Sequence, residues 1–462
     1  MIETRPPEEE TREPEPSYGI DDELIRNVRE ALDEQREEAA LAQASELHAA
    51  DQADLLEQLS PDHRRTLLEA LRPAFDPEVL TYLDEELRGR VIDELGHKEV
   101  GAAIAQLDTD DAVEVLSDLD PDEQLALLRA LPVQDRAAIE QGLTYPEDSA
   151  GRLMQRELVA IPEFWTVGQT IDYLRAKPDL PDEFYDLYIV NPRFEPVGSI
   201  PLSRVLRSKR GVLLTELRMK ELHLLPVDMD QEEVGFRFQQ YNLVSAPVVD
   251  EHGRLLGVIT VDDVVDVIHE EAEEDLLKLG GVGDASIFTS PWRSSRQRVP
   301  WLLLSLISAT IGASVIHHFE ASIEQLVALA VLMPVIVALG GNAGVQTLAV
   351  VVRALAVKEL TRSNALKVVF KEIGVGGLNS TVLMLVGGAL TLLWFGSIDL
   401  ALLFGASIMV TILAAALIGV SIPLLLDRLG FDPAIASSVF VTPTIDAIGF
   451  FAFLGLATWW LL

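Results

Sequence analysis

Residues 438–462, SVFVTPTIDAIGFFAFLGLATWWLL, form an apolar run long enough to cross a bilayer, and near its middle stands Asp446. It is the only carboxylate in the apolar stretches that fill residues 301–462. An acidic side chain at that depth costs about 2.5 to 3.5 kcal/mol on insertion scales, so it faces a bundle interior or a water-filled path. Two readings follow from this position: a cation pathway, or an Asp hydrogen-bonded to a neighbouring helix.

Outward from that run, further apolar segments lie near 301–318, 325–351, 375–396 and 401–426, giving five predicted spans. Arg293, Arg296 and Arg298 precede the first; Arg353, Lys358, Arg362, Lys367 and Lys371 separate the second from the third; Arg428 separates the fourth from the fifth. The loops around HHFEASIEQ and GSIDL contain no Lys or Arg. Positive charge on one side only predicts a cytoplasmic N-terminal part and a C-terminus outside. His317 and His318, at the outer end of the first span, read as interfacial. In the second span, PVIVALGGNAGVQTLAVVVRALA (334–356) offends helix rules at Pro334, Gly340, Gly341 and Gly344, with Asn342 among them. Either the helix is broken there around a cavity, or the glycines let helices pack closely. Pro443 removes a helical hydrogen bond just before Asp446. Asp, Asn and carbonyl oxygens are hard ligands, suited to magnesium or calcium.

The first 290 residues carry nearly all the acid of a 462-residue chain whose net charge is -37. That balance argues against nucleic acid and anionic surfaces as partners and favours cations; an acidic, lysine-poor surface is also a solvation device in high salt. Zero cysteines exclude disulfides, thiolate metal sites and Cys nucleophiles. The start, MIETRPPEEETREPEPSYGIDDE, lacks the apolar core of a cleavable signal, and residues 1–20 read as a disordered tail. Absence of GxxxxGK[ST] and HExxH leaves nothing that marks a nucleotide-driven pump or a protease, so no enzyme is expected. Transport then runs downhill, and the membrane potential supplies about 4.6 kcal/mol per 100 mV to an entering dication.

Residues 21–143 repeat a unit in which Leu and a turn residue precede an acidic helix start: LSPDHRRTLLEAL, LDEELRGRVIDEL, LDTDDAVEVLSDL, LDPDEQLALLRAL and LPVQDRAAIEQGL. The leading leucines, Leu59, Leu83, Leu107, Leu119 and Leu131, are 12 or 24 residues apart. Ser60, Asp84, Asp108 and Asp120 occupy N-cap positions, with Pro61 and Pro121 next. The period predicts a helical superhelix, a scaffold without chemistry of its own. A longer repeat follows: DLYIVNPRFEPVGSIPLSRVL and SAPVVDEHGRLLGVITVDDVV superpose with a shift of 59, matching Val190 to Val249, Gly198 to Gly257 and Val205 to Val264. Each copy reads as strand, turn, strand and helix start, a tandem α/β module with a pseudo-twofold axis. Then comes HEEAEEDLLKLGG, with Glu270, Glu271, Glu273, Glu274 and Asp275 crowded onto one helix.

YPEDSAGRLM (145–154), the tandem repeat, DDVVDVIHEEAEEDLLKLGG (262–281), GGNAGVQTLAVVVRALA (340–356) and DPAIASSVFVTPTIDAIGF (432–450) together resemble the MgtE family of magnesium channels, from about residue 40 onward. The resemblance implies a multidomain fold. Its parts are a tail over 1–20, an all-α superhelix over 21–143, an α/β tandem cystathionine-β-synthase (CBS) module over 144–270, an acidic plug helix over 271–298, and a polytopic five-helix membrane domain over 299–462. It implies a homodimer in the plasma membrane, with hydrated Mg2+ held in a pore by Asp446, Asn342 and the Thr442 carbonyl. It also implies cytoplasmic Mg2+ sensing by Asp263, Asp266, Glu271, Glu274 and Asp275. Some family members bind ATP in the CBS module through an Asp at a helix start. In the first repeat Arg204 stands there, which puts ATP binding in doubt, while the second repeat keeps Asp263. A channel that also passes Co2+, Ni2+ or Mn2+, or a metal-responsive sensor without flux, is the alternative; a pure sensor has no need of Asp446.

Overall fold

The computed structural model describes residues 19–181, 183–219, 221–282, 286–361 and 363–461. Of the tail expected over 1–20, only Gly19 and Ile20 fall within these, and Arg362 falls outside. The described chain is helical at its N-terminal end, carries two small sheets in the middle and ends in long apolar helices. It divides into two compact units, Met1–Ile268 and His269–Leu462.

The first unit opens with α1 (Asp22–Asp33), α2 (Glu37–Ala44), α3 (Ala49–Gln58), α4 (Pro61–Leu71), α5 (Val79–Tyr82), α6 (Glu85–Leu95), α7 (His97–Ile104), α8 (Thr109–Ser117), α9 (Pro121–Ala130) and α10 (Val133–Gly142). None is long enough to be stable alone, so each depends on the shared apolar core. Leu59, Leu83, Leu119 and Leu131 are buried in that core, and Leu107 packs against it. Ser60 accepts a hydrogen bond from His63 N at 3.3 Å and Asp84 one from Glu86 N at 3.1 Å. Asp108 and Asp120 stand at N-caps without a side-chain capping bond. Arg88 of α6 is buried, yet its guanidinium donates to Asp118 at 2.5 Å, to Glu114 at 2.8 Å and to the carbonyls of Thr81 and Leu83 at 3.1 Å each. These four acceptors offset much of the cost of burying the cation, while its Nε is left without a partner.

The tandem module comprises β1 (Ala160–Pro162), α11 (Val167–Ala176), β2 (Asp186–Val190), β3 (Pro196–Pro201), α12 (Leu202–Leu206), α13 (Leu214–Leu217), β4 (Leu225–Pro226), α14 (Gln231–Tyr241), β5 (Ser245–Val249) and β6 (Leu255–Thr260). Two three-stranded sheets, β1-β2-β3 and β4-β5-β6, each join one parallel to one antiparallel pair. The repeat is reproduced in detail: Asp186 pairs with Pro201 as Ser245 pairs with Thr260, and an irregularity falls at Ile189/Val190 and again at Val248/Val249. Asp186 and Ser245, equivalent positions of the two copies, are bonded to one another: Ser245 Oγ donates to Asp186 Oδ2 at 2.9 Å and accepts from Tyr188 Oη at 2.7 Å.

Helix α15 (Val261–Leu279) begins in the first unit and ends in the second without a break at residue 270. The second unit continues with α16 (Pro291–His318), α17 (Glu320–Gln325), α18 (Ala328–Ala356), α19 (Ala365–Phe395), α20 (Ile398–Leu429) and α21 (Pro433–Trp460). Among the described residues, five helices, all of these but α17, are long and apolar enough to cross a membrane. They outrun the apolar runs that announced them. Helix α19, with 31 residues, is about 46 Å long against a hydrocarbon core of about 30 Å. Its first two turns therefore carry Lys367, Lys371 and Glu372, the last of these buried. Helix α20 supplies the most buried face, with Phe404, Ile408, Ile412, Ala415 and Val420 packed inside the bundle.

Candidate metal centres

Helix α18 runs unbroken through Pro334, Gly340, Gly341, Asn342 and Gly344. The break allowed for in the sequence is absent, and the packing reading of the glycines holds. A Cβ built on Gly340 would stand 2.5 Å from Thr411 Cγ2 and 2.9 Å from Ile445 Cγ2, while one on Gly344 would collide with Ile445 Cδ1. Bare backbone is what lets α18 lie against α20 and α21 here. Gly341 faces Thr442, with Thr442 Cγ2 at 3.7 Å from its notional Cβ, and Asn342, the next residue, is exposed in the single chain.

Helix α21 starts at Asp432, whose Oδ1 accepts from Ala434 N at 2.7 Å, with Pro433 in the first position. It continues through Pro443, so the carbonyl deprived of its helical donor is that of residue 439, four positions back. Thr442 contributes a carbonyl that falls opposite the Asp446 N–H, with its second lone pair available. Asp446 is partly exposed, and its buried Oδ1 has no hydrogen-bond partner. Thr411 Oγ1, beside Gly340 and Gly449, is also buried and unbonded. Other hydroxyls of the spans, such as Ser407 and Thr391, donate to the carbonyl four residues back.

The five acids named for sensing all lie on α15. Glu271, Glu274 and Asp275 share a helix face, as their spacing requires. Asp263, near the helix start, accepts from Thr260 Oγ1 at 2.8 Å, and Asp266 lies within its electrostatic reach. Burial pushes the Asp263 carboxyl up to about 6, against the Thr260 bond and with help from Asp262 and Asp266. The sequence reading missed two acids facing it, Asp110 and Asp111 of α8. Burial, then Asp263, raise Asp111 to about 7 and hold Asp110 well above the usual carboxylate range. Both sit in the first turn of a helix, where acids complement the dipole, so LDTDDAV reads as ordinary capping. Only the fold, which sets α8 beside the start of α15, reveals a cluster. Among the described residues no three carboxylate or imidazole groups converge closely enough to bind a metal ion directly.

In the first CBS repeat, Arg204 Nη1 donates to Leu217 O at 3.1 Å. Its equivalent in the second repeat is Asp263, which the acidic cluster already occupies.

Comparison with known proteins bears on all of these regions. The MgtE intracellular N domain matches residues 47–148, a CBS domain residues 214–270, and a divalent cation transporter family residues 333–456. The magnesium transporter MgtE of Thermus thermophilus is 36% identical over 328 residues, 70% of this chain and 72% of that protein. The magnesium transporter MgtE of Bacillus subtilis is 32% identical over 326 residues, 70% of this chain and 71% of that one. Among solved structures, the cytosolic domain of the Mg2+ channel MgtE in complex with ATP is 31% identical, covering 53% of this chain and 99% of that one with a TM-score of 0.48. With relatives so similar over most of both lengths, and with apolar helices where the transporter model matches, this multi-pass membrane protein belongs to the MgtE family of divalent cation transporters.

Proposed function

We propose that the protein is a homodimeric Mg2+ channel of the cell membrane that lets the ion run downhill into the cytoplasm and closes when cytoplasmic Mg2+ rises. The observation that carries the pore reading is Asp446. It is a carboxylate in mid-span with an oxygen that no donor satisfies, on a helix packed against the Gly340–Gly344 stretch of α18. Two such carboxylates, one from each subunit, would offer a hydrated dication the charge it needs without stripping its water; Thr442 and Asn342 would receive the outer shell. Magnesium as substrate is supported by the names of the relatives. The basic residues before α16 and between α18 and α19 favour the N-terminal part in the cytoplasm.

Closure is assigned to the acids of the soluble part. Asp110, Asp111, Asp263 and Asp266 repel one another until a dication lies among them; farther along α15, Glu271, Glu274 and Asp275 form a second acidic group, of which Lys278 neutralises only part. Several weak sites acting together can supply the roughly 5.5 kcal/mol that a near-complete switch requires. ATP is not assigned a role, because Arg204 replaces the ribose-binding acid in the first repeat and Asp263 is committed to the cluster.

Uptake of Mg2+ into a transport-deficient cell tests the reading. Asp446→Ala is expected to abolish or strongly reduce uptake while the dimer persists, and Asp446→Asn to be nearly as poor. Full uptake by either variant would remove Asp446 from the pore. Competition by Co2+, Ni2+ and Mn2+ measures selectivity, since one carboxylate per subunit cannot reject them on charge alone.

A further inference from the structure

Lys278 is the only Lys or Arg between Ile268 and Arg293, at the end of the most acidic helix of the chain. Its side chain is half-buried and its ammonium is shared by two carboxylates. It bonds Glu274, one turn back on α15, and donates to Asp432 Oδ2 at 2.9 Å, 154 residues away. Asp432 is no ordinary surface acid, since its other oxygen caps the first turn of α21. From that cap to Asp446 is 14 residues of one helix, about 21 Å. The neighbour of Lys278, Leu279, packs into the apolar cluster formed by Leu348, Val352, Ala415, Ala434, Val441 and Ile445. Asp275 lies close enough to Asp432 that burial, and then Asp432, raise its carboxyl. Burial works against the Lys278 ammonium, yet the bonds to Glu274 and Asp432 outweigh it and raise its pKa above the ordinary lysine value.

We propose that Lys278 is a positioning residue for gating: its ammonium acts as a resident cation that clamps the end of α15 onto the N-cap of the helix carrying Asp446. Without it, Glu274, Asp275 and Asp432 would face each other uncompensated, and the end of α15 would be pushed off the cap. The lysine thus performs at this one point, without any metal, the charge neutralisation that elsewhere on α15 is left to a dication. The idea rests on the reading of α15 as the closing element.

The test uses the full-length protein in lipid nanodiscs and in patches. Hydrogen exchange of residues 274–281 in Mg2+-free buffer reads the clamp without reference to transport. Lys278→Gln is expected to speed exchange there several-fold, and Lys278→Arg to leave it near the parent rate, since a charge-assisted bond is kept. In patches, Lys278→Gln is expected to raise the cytoplasmic Mg2+ needed for half-closure roughly tenfold, the size of effect that loss of one such bond carries, and Lys278→Arg to restore it. Unchanged exchange in Lys278→Gln overturns the clamp. Faster exchange with unaltered Mg2+ closure overturns its role in gating. A fall in the half-closing concentration also overturns it, showing that the lysine merely keeps a metal out. Should the parent channel itself not close with Mg2+, the gating reading fails, and with it the role given to Lys278, while the exchange experiment still decides the clamp on its own.

Discussion

Burial and mutual repulsion raise the carboxyls of Asp263, Asp111 and Asp110 above the ordinary range, and this makes the sign of a pH effect derivable. A carboxyl whose folded-state pKa lies above its unfolded value binds more protons when folded, so its contribution to stability is lost as pH rises through the folded value. With Asp263 near 6 and Asp111 near 7, the cluster should destabilise the soluble part between about pH 5 and pH 8 in the absence of Mg2+. Thermal melts at pH 6 and pH 8 in a chelating buffer test this, with Asp111→Asn as the control that flattens the difference. Because Mg2+ must displace those protons, its apparent affinity should also be weaker at pH 6 than at pH 8. Equal Mg2+ titrations at the two values would mean that the cluster binds no ion. Asp263 was legible in the sequence through its match to a family motif. Asp110 and Asp111 were not, because tertiary packing alone turns two first-turn acids into partners of a third 150 residues away.

At the scale of elements, the apolar runs foretold the five long helices because length and hydropathy are local properties, but they set the starts of α16, α19 and α20 too late. A helix does not end where the lipid does, and α16 and α19 run on through Arg293 and Lys367 into water. Strands β1 and β4, of three and two residues, were too short to leave a pattern and went unread. The glycines of α18 could have meant a break or a contact, and the choice depended on what stood opposite. Since Ile445 does, Gly344→Ala should force α18 and α21 apart, costing about 1 to 3 kcal/mol as overpacking does. A lowered melting temperature in detergent, with Mg2+ uptake reduced alongside, is the expected result. Gly374, where a Cβ would meet nothing within 4 Å, supplies the control, and Gly374→Ala should leave both unchanged.

For the molecule as a whole, the dominant fact is charge. A net -37 borne almost entirely by the soluble part makes its compact state expensive without counter-ions. Addition of Mg2+ should therefore raise its stability by about 1.4 kcal/mol for each tenfold increase above the dissociation constant of each site. Monovalent salt at equal ionic strength, acting by screening alone, should do less. Melting curves across MgCl2 and NaCl series distinguish the two, and identical curves would reduce the acidity to a solvation device. One detail of the tandem module bears on how its halves pair. The two copies face each other through Asp186 and Ser245, an acceptor and a donor at equivalent positions. Two first copies facing each other would oppose carboxylate to carboxylate, and two second copies would lack the anion altogether. The halves are thus complementary as lock and key are: the pairing takes a carboxylate from one copy and a hydroxyl from the other, which two identical copies could not supply.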